Sequence, residues 1–358
     1  MNEKSLLIFS SAITGITWGA NSLIVSLYFH ELGLPVLLIG IILTVGTLSG
    51  AFLGYLFSIF GDAFGRKKIQ IISRILYAFG ILLLIERIPL GYLLFSRSNM
   101  NSVLLVEKGG NLEKTFGLMN SLSIVASFVG ALIPSFLKFS NVFAIEEIAI
   151  LVSIISLIPV RESYKGTRKI TPKIGSIGTV SKFSVEALTG LGAGMLLPLL
   201  SLWFSLKFHA PIDEISPFFA VSNLTLAVGT YISPYIGKYL GNLKTIVTFH
   251  FIAIALLFYM PFSATALVAG TVYVFRNVFM NMTQPLWTSM FMKVIPENER
   301  GRGMSLVSLF DSIPRSMGPT IGGFFFSIDN LYLPFLITGL LYLISNIVFY
   351  LLFRRIVE

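Results

Sequence analysis

The chain has 358 residues, 55% of them hydrophobic and only 12% charged, with a net charge of +9. A soluble domain holds about 25% charged residues, so this composition excludes a soluble globular protein and indicates an integral membrane protein. Cysteine is absent, and His30, His209 and His250 stand too far apart for a ligand spacing, so disulfides, metal sites and cofactors are not expected.

Twelve apolar spans are predicted, over residues 5–29, 35–60, 69–86, 88–108, 114–138, 141–160, 181–206, 213–237, 244–261, 263–292, 302–326 and 331–353. Each is long enough to cross a hydrocarbon core of ~30 Å as a helix of about 20 residues. The run after Lys4 shows no small-residue cleavage site and is expected to be a retained helix. The fourth span is the most polar, with Arg97, Ser98, Asn99, Asn101 and Ser102. An even number of spans puts both termini on one side. Nineteen Lys and Arg fall on that side, three on the other and four within spans. The positive-inside rule then predicts cytoplasmic termini in a plasma-membrane protein. It also accounts for the positive charge without a nucleic-acid partner.

Residues 161–180 are basic, contain Gly and Pro, and are expected to form a cytoplasmic linker between a bundle over 1–160 and a second over 181–358. A solvated connector is favoured over a segment binding anionic lipid heads. The halves repeat. At an offset of 175, Thr14, Gly15, Gly19, Ser26, Leu27 and Phe29 fall on Thr189, Gly190, Gly194, Ser201, Leu202 and Phe204. At an offset of 176, Tyr55, Gly61, Gly65 and Lys68 fall on Tyr231, Gly237, Gly241 and Lys244.

Between the second and third spans lies a short polar turn, Ser58–Lys68, with Asp62, Gly65, Arg66, Lys67 and Lys68. Gly65 permits the positive φ of a tight reversal, and the basic cluster is a cytoplasmic anchor. This turn resembles the loop between the second and third helices of the major facilitator superfamily. Asp62, Gly65, Arg66 and Lys67 match the family's pattern, while Ser58 and Ala63 stand where it has a glycine and a basic residue. The resemblance implies an all-α membrane protein of twelve transmembrane helices in two pseudo-symmetric six-helix bundles, with a substrate site near the membrane midplane. It implies a gating role for Asp62, Gly65, Arg66 and Lys67. Asp62 would meet the region Arg302–Met304, and Arg66 would pair with Glu107 or Glu113.

Charged residues within a span are costly and mark function by default. Those singled out are Arg74, Arg97, Glu186, Arg276, Asp311 and Arg315. Arg74 lies near a helix end and is expected to snorkel. Glu186, with Lys182 at i−4, is either half of an ion pair or a proton site. Arg97 and Arg276 lie mid-span in corresponding helices, four and ten, which line the cavity in the family. Arg97 is expected to share a helix face with Asn101. Asn277, Asn281, Gln284 and Thr288 form a stripe beside Arg276, as interhelical glue or substrate contact. Asn21 belongs to a polar face of helix one, and Trp18, Trp203 and Trp287 are candidates for an aromatic cavity wall. Asp311 and Arg315, one turn apart, are either a self-neutralising pair or a protonation switch.

No P-loop and no acyl, phosphoryl or hydride-transfer constellation occurs, so neither ATP-driven transport nor an enzyme is expected. The expected function is secondary transport of a small organic solute by alternating access. Proton coupling is expected, with Asp311 the first candidate carrier and Glu186 the second. Four intramembrane arginines against two acids lean toward an anionic or amphipathic substrate. The alternatives are a proton-coupled exporter of hydrophobic compounds and, in another class, a non-transporting sensor or assembly factor. A monomer is expected.

Overall fold

The computed structural model describes residues 2–96, 98, 100–109, 112–162, 177–295 and 300–357. Side chains at 58, 59, 62, 63, 112–114, 117, 292, 300–305 and 355–357 lie outside the description. Among the described residues the regular structure is entirely helical.

Twelve elements follow one another: α1 (Glu3–Glu31), α2 (Val36–Phe64), α3 (Arg66–Ile85), α4 (Met100–Glu107), α5 (Leu112–Leu132), α6 (Phe139–Leu157), α7 (Ile177–Phe208), α8 (Ile212–Leu240), α9 (Asn242–Tyr259), α10 (Ala266–Asn281 with Gln284–Val294), α11 (Arg300–Ser327) and α12 (Leu333–Val357). Nine are long and apolar enough to cross a membrane, among the described residues. The exceptions have visible causes. The α10 helix breaks after Asn281, and α11 carries Asp311 and Arg315.

The fourth element departs from the continuous span predicted over 88–108. A 3₁₀ helix, Pro89–Leu94, precedes non-helical Phe95, Ser96 and Ser98, and only then does α4 begin. Pro89 suits a helix start, but the polar run after Phe95 supplies no apolar face to bury. Arg97 lies outside the described residues, as do the side chains of Asp62, Glu113, Arg302 and Met304 and the segment 163–176.

The chain divides into two compact units, residues 1–34 with 42–170, and residues 35–41 with 171–358. Each unit is built on one close helix pair. In the first, α1 meets α5 where Gly15 and Gly19 abut the carbonyls of Ser123 and Ser127, and Gly130 abuts Ile16. In the second, α7 meets α11 where Gly190 and Gly194 abut the carbonyls of Asp311 and Arg315, and Gly318 and Gly322 abut Gly194 and Met195. A Cβ at any of these glycines would collide with facing backbone. Small residues four apart are how membrane helices reach such proximity. The repeat read in the sequence thus lands on equivalent contacts. Gly65 and Gly241 also match, each starting a helix (α3, α9) from a positive φ of 115° and 83°.

Aromatic packing fills the rest of the second unit. Phe183 contacts Trp287, Phe291 and Phe353. Trp203 is fully buried among Phe204, Phe208 and Phe335 and donates to the Leu331 carbonyl at 3.0 Å. It is a core residue and not a cavity wall. Large side chains such as Phe136, Tyr239 and Phe64 are exposed on their own unit, as expected where lipid is the solvent.

Overpacking the α7–α11 seam should be costly. Gly194→Val should lower the melting temperature in detergent, by about 1–3 kcal/mol or more of stability. Gly178→Ala, where a Cβ meets open space, should leave it unchanged. Equal melting temperatures for the two variants would contradict the seam.

Candidate functional site

Each unit holds a polar cavity of its own. In the first unit the break of α1 at Thr14 leaves the Ser10 carbonyl free for other donors. It accepts from Ser153 Oγ at 2.8 Å and from Arg74 Nη1 at 3.2 Å. Arg74 is therefore buried, 6% exposed, beside a cavity of about 140 Å³ and does not snorkel as predicted. Asn101 lines this cavity too, and its Nδ2 donates to Leu7 O at 2.9 Å and to Ser11 Oγ. Asn21 Nδ2 donates to Tyr77 Oη and to Glu146 Oε2, both at 2.8 Å. Glu146 is fully buried in α6. With its neighbour Glu147 it is missing from the intramembrane charges singled out above, although the run "AIEEIAI" shows both. The tally of four arginines against two acids is thereby corrected to four against four.

The turn before α3 is clasped within the same unit. Arg66 Nη1 pairs with Glu107 Oε1 at 2.5 Å, one of its two candidate partners; the side chain of the other, Glu113, lies outside the described residues. The Glu162 carboxylate, unforeseen in this role, accepts from the backbone N–H groups of Arg66 (2.5 Å) and Lys67 (3.2 Å). It places a negative charge at the N-terminus of α3, where the helix dipole favours one. Lys67 Nζ donates to Ile158 O at 2.6 Å.

The second unit's cavity holds about 320 Å³ and gathers most of the titratable machinery. Asp311 and Arg315 form a bidentate pair, Nε to Oδ2 at 2.8 Å and Nη2 to Oδ1 at 2.7 Å. Glu186 does not meet Lys182. Ser181–Val185 is a 3₁₀ helix, whose three residues per turn carry i−4 off the shared face. Instead Glu186 Oε1 accepts from Trp287 Nε1 at 3.0 Å. The stripe along α10 divides at the break near Met282. Asn277 Nδ2 reaches Ser222 Oγ on α8 at 2.6 Å, which is interhelical glue. Asn281 and Gln284 line the cavity, while Thr288 does not. Of the three tryptophans only Trp287 lines this cavity, and exposed Trp18 does not line that of its own unit.

Arg276 is 3% exposed. Its Nη2 donates to Tyr342 Oη at 3.2 Å, and the guanidinium carbon lies 5.5 Å from the Tyr342 ring centre. Nε is buried without a partner. Among the described residues no carboxylate is in ion-pair contact with it. Sequence reasoning missed His250, whose Nε2 lies 3.1 Å from Thr283 Oγ1, and Tyr342. The signal for His250 was present: the offset of 176 puts it opposite Arg74.

A sequence model of the Major Facilitator Superfamily matches residues 183–358. The fold of nearly the whole chain is that of solved transporters. The nucleoside transporter NupG superposes with a TM-score of 0.79 at 12% identity, over 99% of this chain and 100% of that one. The chain has the major facilitator fold, and its second half is similar in sequence to that superfamily. A POT family peptide transporter in an auto-inhibited form gives a TM-score of 0.77 at 12% identity, over 99% of this chain and 97% of that one. A D-xylose–proton symporter gives 0.76 at 12% identity, over 97% of each. No curated protein sequence matches the chain. The major facilitator fold makes this a multi-pass membrane protein, and its helices are consistent with the predicted twelve-helix arrangement.

The ion pair on α11 yields a prediction. Asp311→Asn strands a charge-assisted donor and should cost about 1–3 kcal/mol. The double variant Asp311→Asn with Arg315→Gln should recover most of it. A double variant less stable than Asp311→Asn alone would contradict a self-neutralising pair.

Proposed function

We propose that the protein is a secondary transporter that moves a small organic solute by alternating access of its two halves, 1–160 and 181–358, in a plasma membrane with cytoplasmic termini. Asp62, Gly65, Arg66 and Lys67 act as a gate. This last reading is supported by the match of the turn to the family's pattern and by the clasp of Arg66 and Lys67 onto Glu107 and Glu162. Transport is coupled to protons. The observation that carries the coupling is the contrast between two carboxylates in one cavity. Asp311 is held by two hydrogen bonds from Arg315, whereas the hydrogen bond to Glu186 comes from the neutral indole of Trp287 and no basic side chain is in ion-pair contact with it among the described residues. A carboxylate that is not clasped in an ion pair takes and releases a proton at lower cost to its surroundings. Glu186 is therefore the carrier, and Asp311 with Arg315 holds the site's geometry. The solute is anionic or amphipathic, a reading supported, now that the charge tally is balanced, by Arg276 standing in the second cavity without an ion pair among the described residues. A hydrophobic compound fits less well, because both cavities are rich in charged and hydroxyl side chains.

The test uses protein reconstituted in liposomes. Glu186→Gln should retain exchange of solute at equal concentrations on the two sides. It should lose accumulation driven by a pH gradient, because exchange needs no net proton movement. Retained pH-driven accumulation in Glu186→Gln would remove Glu186 from the coupling. Absence of any solute flux in the wild type would favour a sensor or assembly factor on the same fold.

A further inference from the structure

We infer that the second-half cavity is a docking site for the carboxylate of a small organic monoanion, with Arg276 as its anchor. This rests on the transporter reading but concerns binding alone. A guanidinium cannot shed its charge, and an isolated charge inside a protein within a membrane costs several kcal/mol unless a counter-charge arrives. Arg276 lacks one. Its Nη2 is spent on Tyr342 and its ring contact is with the same residue, while Nε has no acceptor. The other cavity charges do not repair this. Arg315 and Asp311 neutralise each other at 2.7–2.8 Å, and Glu186, bonded to the Trp287 indole, makes no ion-pair contact with Arg276 among the described residues. His250 is engaged by Thr283.

The remaining wall defines the ligand. A monocarboxylate offers acceptor oxygens to the unused Nε and neutralises a single charge. A dianion such as sulfate would bring a second negative charge toward Glu186 and Asp311. Gln284 and Asn281 supply neutral polar groups for the rest of the solute. The volume of about 320 Å³ falls at the small end of the ~300–1,000 Å³ typical of small-molecule sites, which suits a single ring or a short chain.

The site also differs from its counterpart in the repeat. In the first unit the cavity arginine, Arg74, donates to the Ser10 carbonyl, a fixed acceptor of the protein. In the second unit the residue at that repeat position is His250, and the arginine stands on α10 instead.

The experiment measures melting temperature and calorimetric binding of the purified full chain with benzoate and butyrate. Benzamide and butyramide serve as neutral matches, and inorganic phosphate and sulfate as other oxyanions. At least one carboxylate should stabilise the protein saturably, while its amide, phosphate and sulfate should not. Arg276→Gln should weaken that binding at least tenfold without lowering the ligand-free melting temperature, since it removes an unneutralised buried charge. Tyr342→Phe, which frees the guanidinium from its hydroxyl, should weaken it several-fold. The inference is overturned if amides bind as well as carboxylates or if no carboxylate binds. It is overturned equally if phosphate or sulfate binds in their place, if Arg276→Gln binds within twofold of wild type, or if that variant melts lower when empty. Carboxylate binding without flux in liposomes would overturn the transporter reading and leave the site standing. Flux of a neutral solute with no carboxylate binding would do the reverse.

Discussion

The contact on which the second unit depends is the seam between α7 and α11, where Gly190 and Gly194 admit the backbone of Asp311 and Arg315. Side chains that flank a glycine seam have little freedom. The seam fixes where the two carbonyls lie, and so fixes where the Asp311 and Arg315 side chains leave the helix. It also sets Glu186 at the cavity wall, one turn before Gly190 on α7. Membrane helices gain little from hydrophobic association in lipid, so close van der Waals contact of this kind supplies much of what holds them. The same geometry that stabilises the pair therefore positions its charges.

Comparison of the two repeats shows what the chain has specialised. The α1–α5 seam and the α7–α11 seam are equivalent, yet Ser123 and Ser127 in the first stand where Asp311 and Arg315 stand in the second. Asn101 bonds to Ser11 across α4 and α1, while Trp287 bonds to Glu186 across α10 and α7. Ser153 bonds to the Ser10 carbonyl as Ser345 bonds to that of Val185. The scaffold contacts persist and the cavity chemistry changes. Hydroxyls, amides and the Arg74 guanidinium of the first cavity give way in the second to carboxylates, an indole and two guanidinium groups, one of them, Arg276, in no ion-pair contact among the described residues. This asymmetry supports the assignment of charge handling to the second unit.

Much of the fold was legible from sequence because it rests on signals with a fixed period. Twenty-residue apolar runs, basic loops on one side and paired glycines at constant offset each survive in a single sequence. The fourth element was misread because a polar run inside a hydrophobic window hides a helix break. Partner choice was less legible. One of the two readings of Glu186 paired it with Lys182 on α-helical spacing, but the local turn is 3₁₀. Arg74 was expected at the surface, but the break at Thr14 had freed a carbonyl for it. Glu146 was overlooked in a plain reading of the run that contains it. His250 was set aside as a lone histidine although the repeat aligned it with a buried arginine. Such contacts depend on three-dimensional placement, which spacing along one helix does not carry.

The central claim is that a proton and a small organic anion move together. Liposomes containing the protein and an internal pH dye test it directly, with membrane potential clamped by potassium and valinomycin. An inward gradient of a monocarboxylate that the protein binds should acidify the lumen faster than in protein-free liposomes. The rate should not depend on the clamped potential, because one negative charge and one proton cross together. Protein-dependent flux of the anion that follows the potential and leaves the lumenal pH unchanged would contradict the account.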